Sequence, residues 1–418
     1  MALLFLCLIF GTGRTQKIEA AVQNVPESLE EESRLDTVGT DQETERAAVR
    51  EKKGQQEKEA GDTETDQAAA AQDELLAELD FDAIQQEVDS LLSSQQFSFA
   101  GTVRSLLQDG DPFRIFRAGN AVLSCAKTAF LAQKGLMKEL FLLVLAGAVL
   151  GSFSSLFEGK QVRDASFYMV YLLALALILK NFQSSGENLK AVITSLVAFM
   201  RILTPSYSLA AAAAGGASSA VMFYQMLLLV ILAVEKLLLA LVLPMIHIYL
   251  LIALVNDLSG EEILSHMTEL LETCVNGLLK SSLGVLVGMQ MIRNLIAPAL
   301  DSLRQMALWR TAGMIPGIGN AVNAVTELVA GSAVLIRNCF GVTAMLVLLA
   351  AGMVPAVQLL VSGLSFRLLA AAAQPVSDKR IAGCLAAAGK GYAMLLRLLL
   401  TVEVLFLLTI AILAGTFS

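Results

Sequence analysis

Hydrophobic and polar positions divide this chain into regions with different periodicities. A nine-residue apolar run, Ala2–Phe10, comes first and stops at Gly11-Thr12-Gly13-Arg14. As helix it measures about 14 Å, half of a hydrocarbon core about 30 Å thick. Too short to span, it has the size of a signal-peptide core, and residues 1–20 are expected to be a signal segment, cleaved after Ala20. Residues 21–72 are polar; Pro26–Gln72, rich in Glu, Gln, Thr and Asp, contains no aromatic residue. Such a stretch buries too little apolar surface to offset its ordering entropy, which predicts a disordered acidic segment.

Helical periodicity begins at Asp73. Leu75, Leu76, Leu79, Ile84, Val88, Leu91 and Leu92 recur at helical spacing with acids opposite, predicting an amphipathic helix. Its apolar face needs a cover, either this chain's own body or a partner protein. Asp111-Pro112 then combines an N-cap acid with a first-turn proline. From Phe113 to Leu140 apolar residues mix with Arg114, Arg117, Lys127, Lys134 and Lys138, the pattern of a basic amphipathic helix at a bilayer surface. Residues 73–138 are thus expected to be amphipathic helices beside the membrane, outside the cytoplasm if the signal exports the head.

Residues 139–418 read as a multi-pass body. Leu140–Phe157 and Ser166–Lys180 are clear candidate spans. Leu189–Leu203 is short and carries Arg201, which suggests a re-entrant or interfacial piece. Ser219–Leu243 is about 37 Å of helix, broken or kinked at Pro244 and continued by Met245–Val255. Asp257–Glu272 is acidic and amphipathic. Leu283–Ala297, Leu300–Met314, Val334–Val361, Ile381–Leu385 with its flanks and Tyr392–Ala414 complete the series. Six to eight crossings are expected, since several segments fall below the roughly 20 residues a clean span requires. Trp309 between Arg304 and Arg310 reads as an interfacial anchor, and Pro316-Gly317-Ile318-Gly319-Asn320 as a turn.

Composition agrees with this reading. Of 418 residues, 56% are hydrophobic and 16% charged, with a mean hydropathy of +0.65. Soluble domains run at about 45–50% apolar and about 25% charged. The net charge of −8 averages two regions: Arg14–Gln96 holds 8 Lys and Arg against 22 Asp and Glu, leaving the rest weakly basic. No basic stripe with interleaved aromatics is present, so nucleic acid is not an expected partner; the lipid bilayer is. The fold class expected is all-α: a polytopic helical membrane protein with a disordered acidic N-terminal head.

Candidate chemistry is sparse. Five scattered cysteines and two histidines supply neither a zinc cluster nor a readable disulfide framework. Gly389-Lys390-Gly391 lacks both the spacing and the hydroxyl of a phosphate loop. No catalytic residue, cofactor or metal is expected, and the chain does not read as an enzyme. Ionisable residues inside apolar runs are costly, by about 2.5–3.5 kcal/mol at the helix centre, and are functional candidates by default. Glu235, Lys236, His247, Arg337 and Glu403 are of this kind, with snorkelling or an interfacial ion pair as the plain alternative for the Glu235-Lys236 pair. Gly147/Gly151 and Gly284/Gly288 form two G-x-x-x-G pairs, candidates for close helix packing.

The run Arg293-Asn294-Leu295-Ile296-Ala297-Pro298-Ala299-Leu300-Asp301, the Ile315–Gly319 turn, Ala324–Ser332 and Leu335-Ile336-Arg337-Asn338 with its apolar continuation to Pro355 and Leu359-Leu360 resemble the stage III sporulation protein AE family of endospore-forming bacteria. The resemblance runs from Phe113 to the C-terminus and leaves out the acidic head. It implies a multi-pass subunit of a secretion-like channel complex in the mother-cell membrane surrounding the forespore, required for late forespore development. Implied partners are other proteins of the same operon, including a secretion-type ATPase and ring-forming proteins, and a forespore membrane partner. The alternative is an autonomous secondary transporter with broken helices around Pro244 and Pro316 at the bilayer midplane; no internal repeat supports it.

Overall fold

The computed structural model describes residues 80–92, 97–109, 119–154, 160–213, 218–259, 264–312, 319–375 and 377–415. The signal segment, the acidic head, the Asp111-Pro112 helix start and Pro316 lie outside the described residues, as do the side chains of Arg304, Trp309 and Arg310. All regular structure among the described residues is helical: α1 Phe81–Leu91, α2 Phe99–Asp109, α3 Gly119–Ser154, α4 Lys160–Ala213, α5 Ser218–Leu237, a π turn Leu238–Val242, α6 Leu243–Ser259, α7 Ser265–Ala312, α8 Gly319–Ala373 and α9 Lys379–Gly415.

The amphipathic head helix finds its cover within its own chain. Asp80 caps α1, its side chain accepting from the Ala83 N–H at 3.1 Å, as short acids do at helix starts. Ile84 and Val88 are fully buried, and α1 packs on α4 while α2 packs on α8. Gln85 ties the two short helices together: its Nε2 donates to the Phe97 carbonyl at 2.7 Å and its Oε1 accepts from the Phe99 N–H at 2.8 Å. Phe81 and Phe99 meet Phe340 of α8 edge-on at centroid distances of 6.2 and 5.0 Å, and Tyr207 of α4 closes the cluster at 6.1 Å from Phe340.

Several expected spans fuse into longer helices. Ser166–Lys180 and Leu189–Leu203 are parts of one helix, α4, which continues through Pro205; the second is neither re-entrant nor separate. The polar stretch Asn181–Asn188 is helical throughout; within it Asn181 reaches Tyr392 of α9, Ser185 bonds back to the Asn181 carbonyl and Gln183 donates to Glu187. α8 likewise passes through Pro355. A helix-interior proline lacks one N–H and costs about 3 kcal/mol in water, but surrounding helices make such positions tolerable in membrane bodies.

Pro244 neither ends nor breaks its helix. The backbone widens just before it into the π turn, in which the Leu243 N–H reaches Leu238 O. That extra residue per turn relieves the contact between the proline ring and the preceding carbonyl, and π turns of this kind concentrate at functional positions.

Five helical segments among the described residues are long and apolar enough to cross a membrane: Phe167–Tyr207, Gln225–Ser259, Ser265–Met289, Ala333–Ala373 and Lys379–Ala411. The last is 56% buried over its apolar window, the others 22–33%, so α9 is the central helix and the rest present broad apolar faces outward. Leu172, Leu173, Leu229 and Leu368 are among the exposed side chains, as expected of helices solvated by lipid tails. At 54 and 55 residues, α4 and α8 are about 80 Å long, well beyond a bilayer with its headgroups.

Candidate functional site

Several polar side chains of the neighbouring helices meet α9, and the geometry there starts from glycine. α8 and α9 form the most extensive helix pair and run antiparallel. Gly352 of α8 faces Glu403 of α9. Eleven residues on along α8, and eleven back along α9, Gly363 faces Tyr392; next, Gly389 of α9 faces Arg367 of α8. Each glycine removes a side chain where the opposite helix inserts a large one, so the backbones approach closely and pack through dispersion contacts.

Three ionisable residues sit in such notches. A Cβ on Gly352 would overlap Glu403 Oε1, one on Gly186 of α4 would lie 2.6 Å from both Cε1 and Nε2 of His247, and one on Gly383 of α9 would lie 3.1 Å from the Asp257 carboxyl. Backbone without a side chain is the only surface these polar groups can approach so closely.

At the level of Tyr392 a small polar network crosses from α9 to α4. Asn181 Nδ2 donates to the Tyr392 hydroxyl at 2.6 Å, and Ser185 Oγ donates to the Asn181 carbonyl at 2.9 Å while lying 3.3 Å from the same hydroxyl. With the serine proton committed, the tyrosine donates to Ser185, and every O–H is used. The ring is fixed by stacking on Phe366 at 5.2 Å and by the edge of Phe182, also at 5.2 Å. Phe182 meets His247 on its other side at 5.2 Å. His247 Nδ1 lies 2.9 Å from Leu243 O; a carbonyl only accepts, so Nδ1 carries the proton in this contact.

Nearer the start of α9, the Tyr171 hydroxyl donates to Leu254 O at 2.5 Å. Arg380 reaches Leu258 O at 3.4 Å and lies 5.5 Å over the Phe167 ring. These contacts hold the end of α6 against α4 and α9 beside Asp257.

The sequence candidates occupy different surroundings. Glu235 is half-buried and Lys236 exposed, because neighbouring helix positions point about 100° apart. Glu235 lines an apolar crevice with Leu286 of α7 and Val402, Leu405 and Phe406 of α9, within electrostatic reach of Arg201 on α4. His247 and Glu403 occupy the Gly186 and Gly352 notches. Arg337 is 1% exposed, one turn from Phe340 and its aromatic cluster. A Cβ on Gly147 would meet Val170 Cγ1 at 2.9 Å, whereas Gly284 and Gly288 have nothing within 4 Å among the described residues; the side-chain position of Gly151 lies outside the described residues.

Sequence reading passed over Asn181, Ser185, Tyr392 and Asp257, and the glycines that receive the ionisable groups. Their one linear signal is a polar residue or glycine interrupting an apolar helix, and that signal does not say which helix lies opposite.

Long apolar helices with outward apolar faces define a multi-pass helical membrane protein. Residues 97–416 match the family described as Stage III sporulation protein AE, and the chain belongs to that family. A curated relative, Stage III sporulation protein AE of Bacillus subtilis (strain 168), is 22% identical over 291 residues, covering 69% of this chain and 73% of that protein. No solved structure matches the chain. Membership supports a membrane role in sporulation.

Proposed function

We propose that this protein is an integral subunit of a sporulation-specific, secretion-like channel complex in the mother-cell membrane around the forespore, required for late forespore development. The observation that carries the reading is the family match over residues 97–416, which spans the whole helical body. In this reading the chain catalyses no reaction. It works beside a secretion-type ATPase, ring-forming proteins and a forespore membrane partner. α3 would add a crossing to the five apolar helices, within an expected six to eight, and the exported head would face the space between the membranes. Gly284 and Gly288, open on the surface of α7, offer a packing face for a partner helix, while Glu235, Lys236, His247, Arg337 and Glu403 are the positions where function would be sensitive.

Deleting the gene in the endospore-forming host tests the assignment. Engulfment should finish, late forespore gene expression should fail, and the full chain supplied in the mother cell should restore it. Normal spore yield in the deletion strain would overturn it. Solute uptake by vesicles holding this protein alone would replace the subunit with an autonomous transporter.

A further inference from the structure

Glu403 is 8% exposed, and its Oε1 is buried without a hydrogen-bond partner. It lies deep: Gly352, the residue it covers, is near the midpoint of the apolar stretch Ala333–Ala373. An ionised carboxylate in such a place demands a counter-charge or several donors, because its desolvation costs several kcal/mol even after relaxation.

Among the described residues no hydrogen-bond donor reaches Oε1. Ionisable groups on α9 and the helices packed against it are placed elsewhere. Arg367 lies at Gly389, and Arg397 donates to Asn276 at 3.1 Å. Lys390 and Asp257 act on one another toward the start of α9. His247 fills the Gly186 notch, and Glu235 faces the crevice formed by Val402, Leu405 and Phe406. Arg337, on the same helix as Gly352, is fifteen residues away, about 22 Å along the axis.

A metal ion is a poor occupant: sodium or calcium would need several oxygen ligands, and the notch offers one carboxyl against glycine. A proton needs only one oxygen and removes the charge. Pro355 adds a second observation. Having no N–H, it cannot serve the Ala351 carbonyl four residues earlier, so the carbonyl next to Gly352 loses its helical donor.

We propose that Glu403 is a proton-binding site in the membrane interior, held as a neutral carboxylic acid in the Gly352 notch. The site goes beyond a subunit role and does not depend on it: protonation of one carboxyl can be read whether or not the chain assembles with partners. The full-length protein in lipid vesicles at neutral pH should show the carbonyl stretch of a protonated carboxyl, shifted in heavy water and absent from E403Q. Carboxylate bands at that position instead would overturn the proposal. Wild-type protein alone gives an independent reading. Dicyclohexylcarbodiimide, which enters lipid and reacts with protonated carboxyls, should modify the Glu403 peptide, and the yield should fall as the pH is raised. A yield that does not change with pH would overturn the proposal as well.

Discussion

Gly186→Ala is the sharpest test of the helix crossings, because the group it meets cannot swing away. The added methyl carbon would fall 2.6 Å from His247 Cε1 and Nε2. Ordinary contact begins at 3.4 Å, so the imidazole must retreat by ~0.8 Å in a packed interior that resists such shifts. Retreat is opposed on two sides: Nδ1 is held by Leu243 O at 2.9 Å, and the ring faces Phe182. Overpacking of this kind costs about 1–3 kcal/mol. For a body of this size that lowers the apparent melting temperature by roughly 1–4 °C.

Thermal unfolding of the detergent-solubilised full chain, followed by loss of monodispersity, would measure the change. His247→Ala alone should destabilise through lost contacts, but Gly186→Ala in its presence should cost little, since the double variant has room for the methyl. Equal losses from Gly186→Ala in the two backgrounds would refute the crossing as described.

Other substitutions probe separate contacts. Tyr392→Phe removes the acceptor for Asn181 Nδ2 and the donor to Ser185; a loss of about 1–2 kcal/mol is expected in the same assay, and Asn181→Leu combined with Tyr392→Phe should recover part of it. Gln85→Ala should release α2 from α1, seen as faster amide exchange at Phe99, whose N–H it holds at 2.8 Å, with melting of the body little changed. Glu235→Leu leaves Arg201 and Lys236 without the carboxylate they act on. Sporulation efficiency should fall at unchanged protein level, and wild-type efficiency would reduce Glu235 to a snorkelling residue.

Much of this molecule is written in its linear pattern, since lipid makes severe demands on a chain. Backbone groups in hydrocarbon must be satisfied within the segment, so long apolar runs become helices whatever surrounds them. That alone predicts the all-α class and places apolar helix at 219–243, 334–361 and 392–414. It also marks Glu235, His247, Arg337 and Glu403 as anomalous, because the cost of an ionisable group in an apolar run depends on the run. Helix boundaries were less legible. The polar interruption at Asn181–Asn188 separates two apolar segments in sequence and is continuous helix in the structure, where Asn181 reaches Tyr392, 211 residues away. Pro244 reads as a break or kink and is absorbed by a π turn, while Pro205 and Pro355 lie inside continuous helix. The two G-x-x-x-G pairs look alike, yet Gly147 meets Val170 while Gly284 and Gly288 meet nothing within 4 Å among the described residues. Which glycine receives which side chain depends on helix rotation and register across hundreds of residues. Those are properties of packing between helices, and only the tertiary structure decided them.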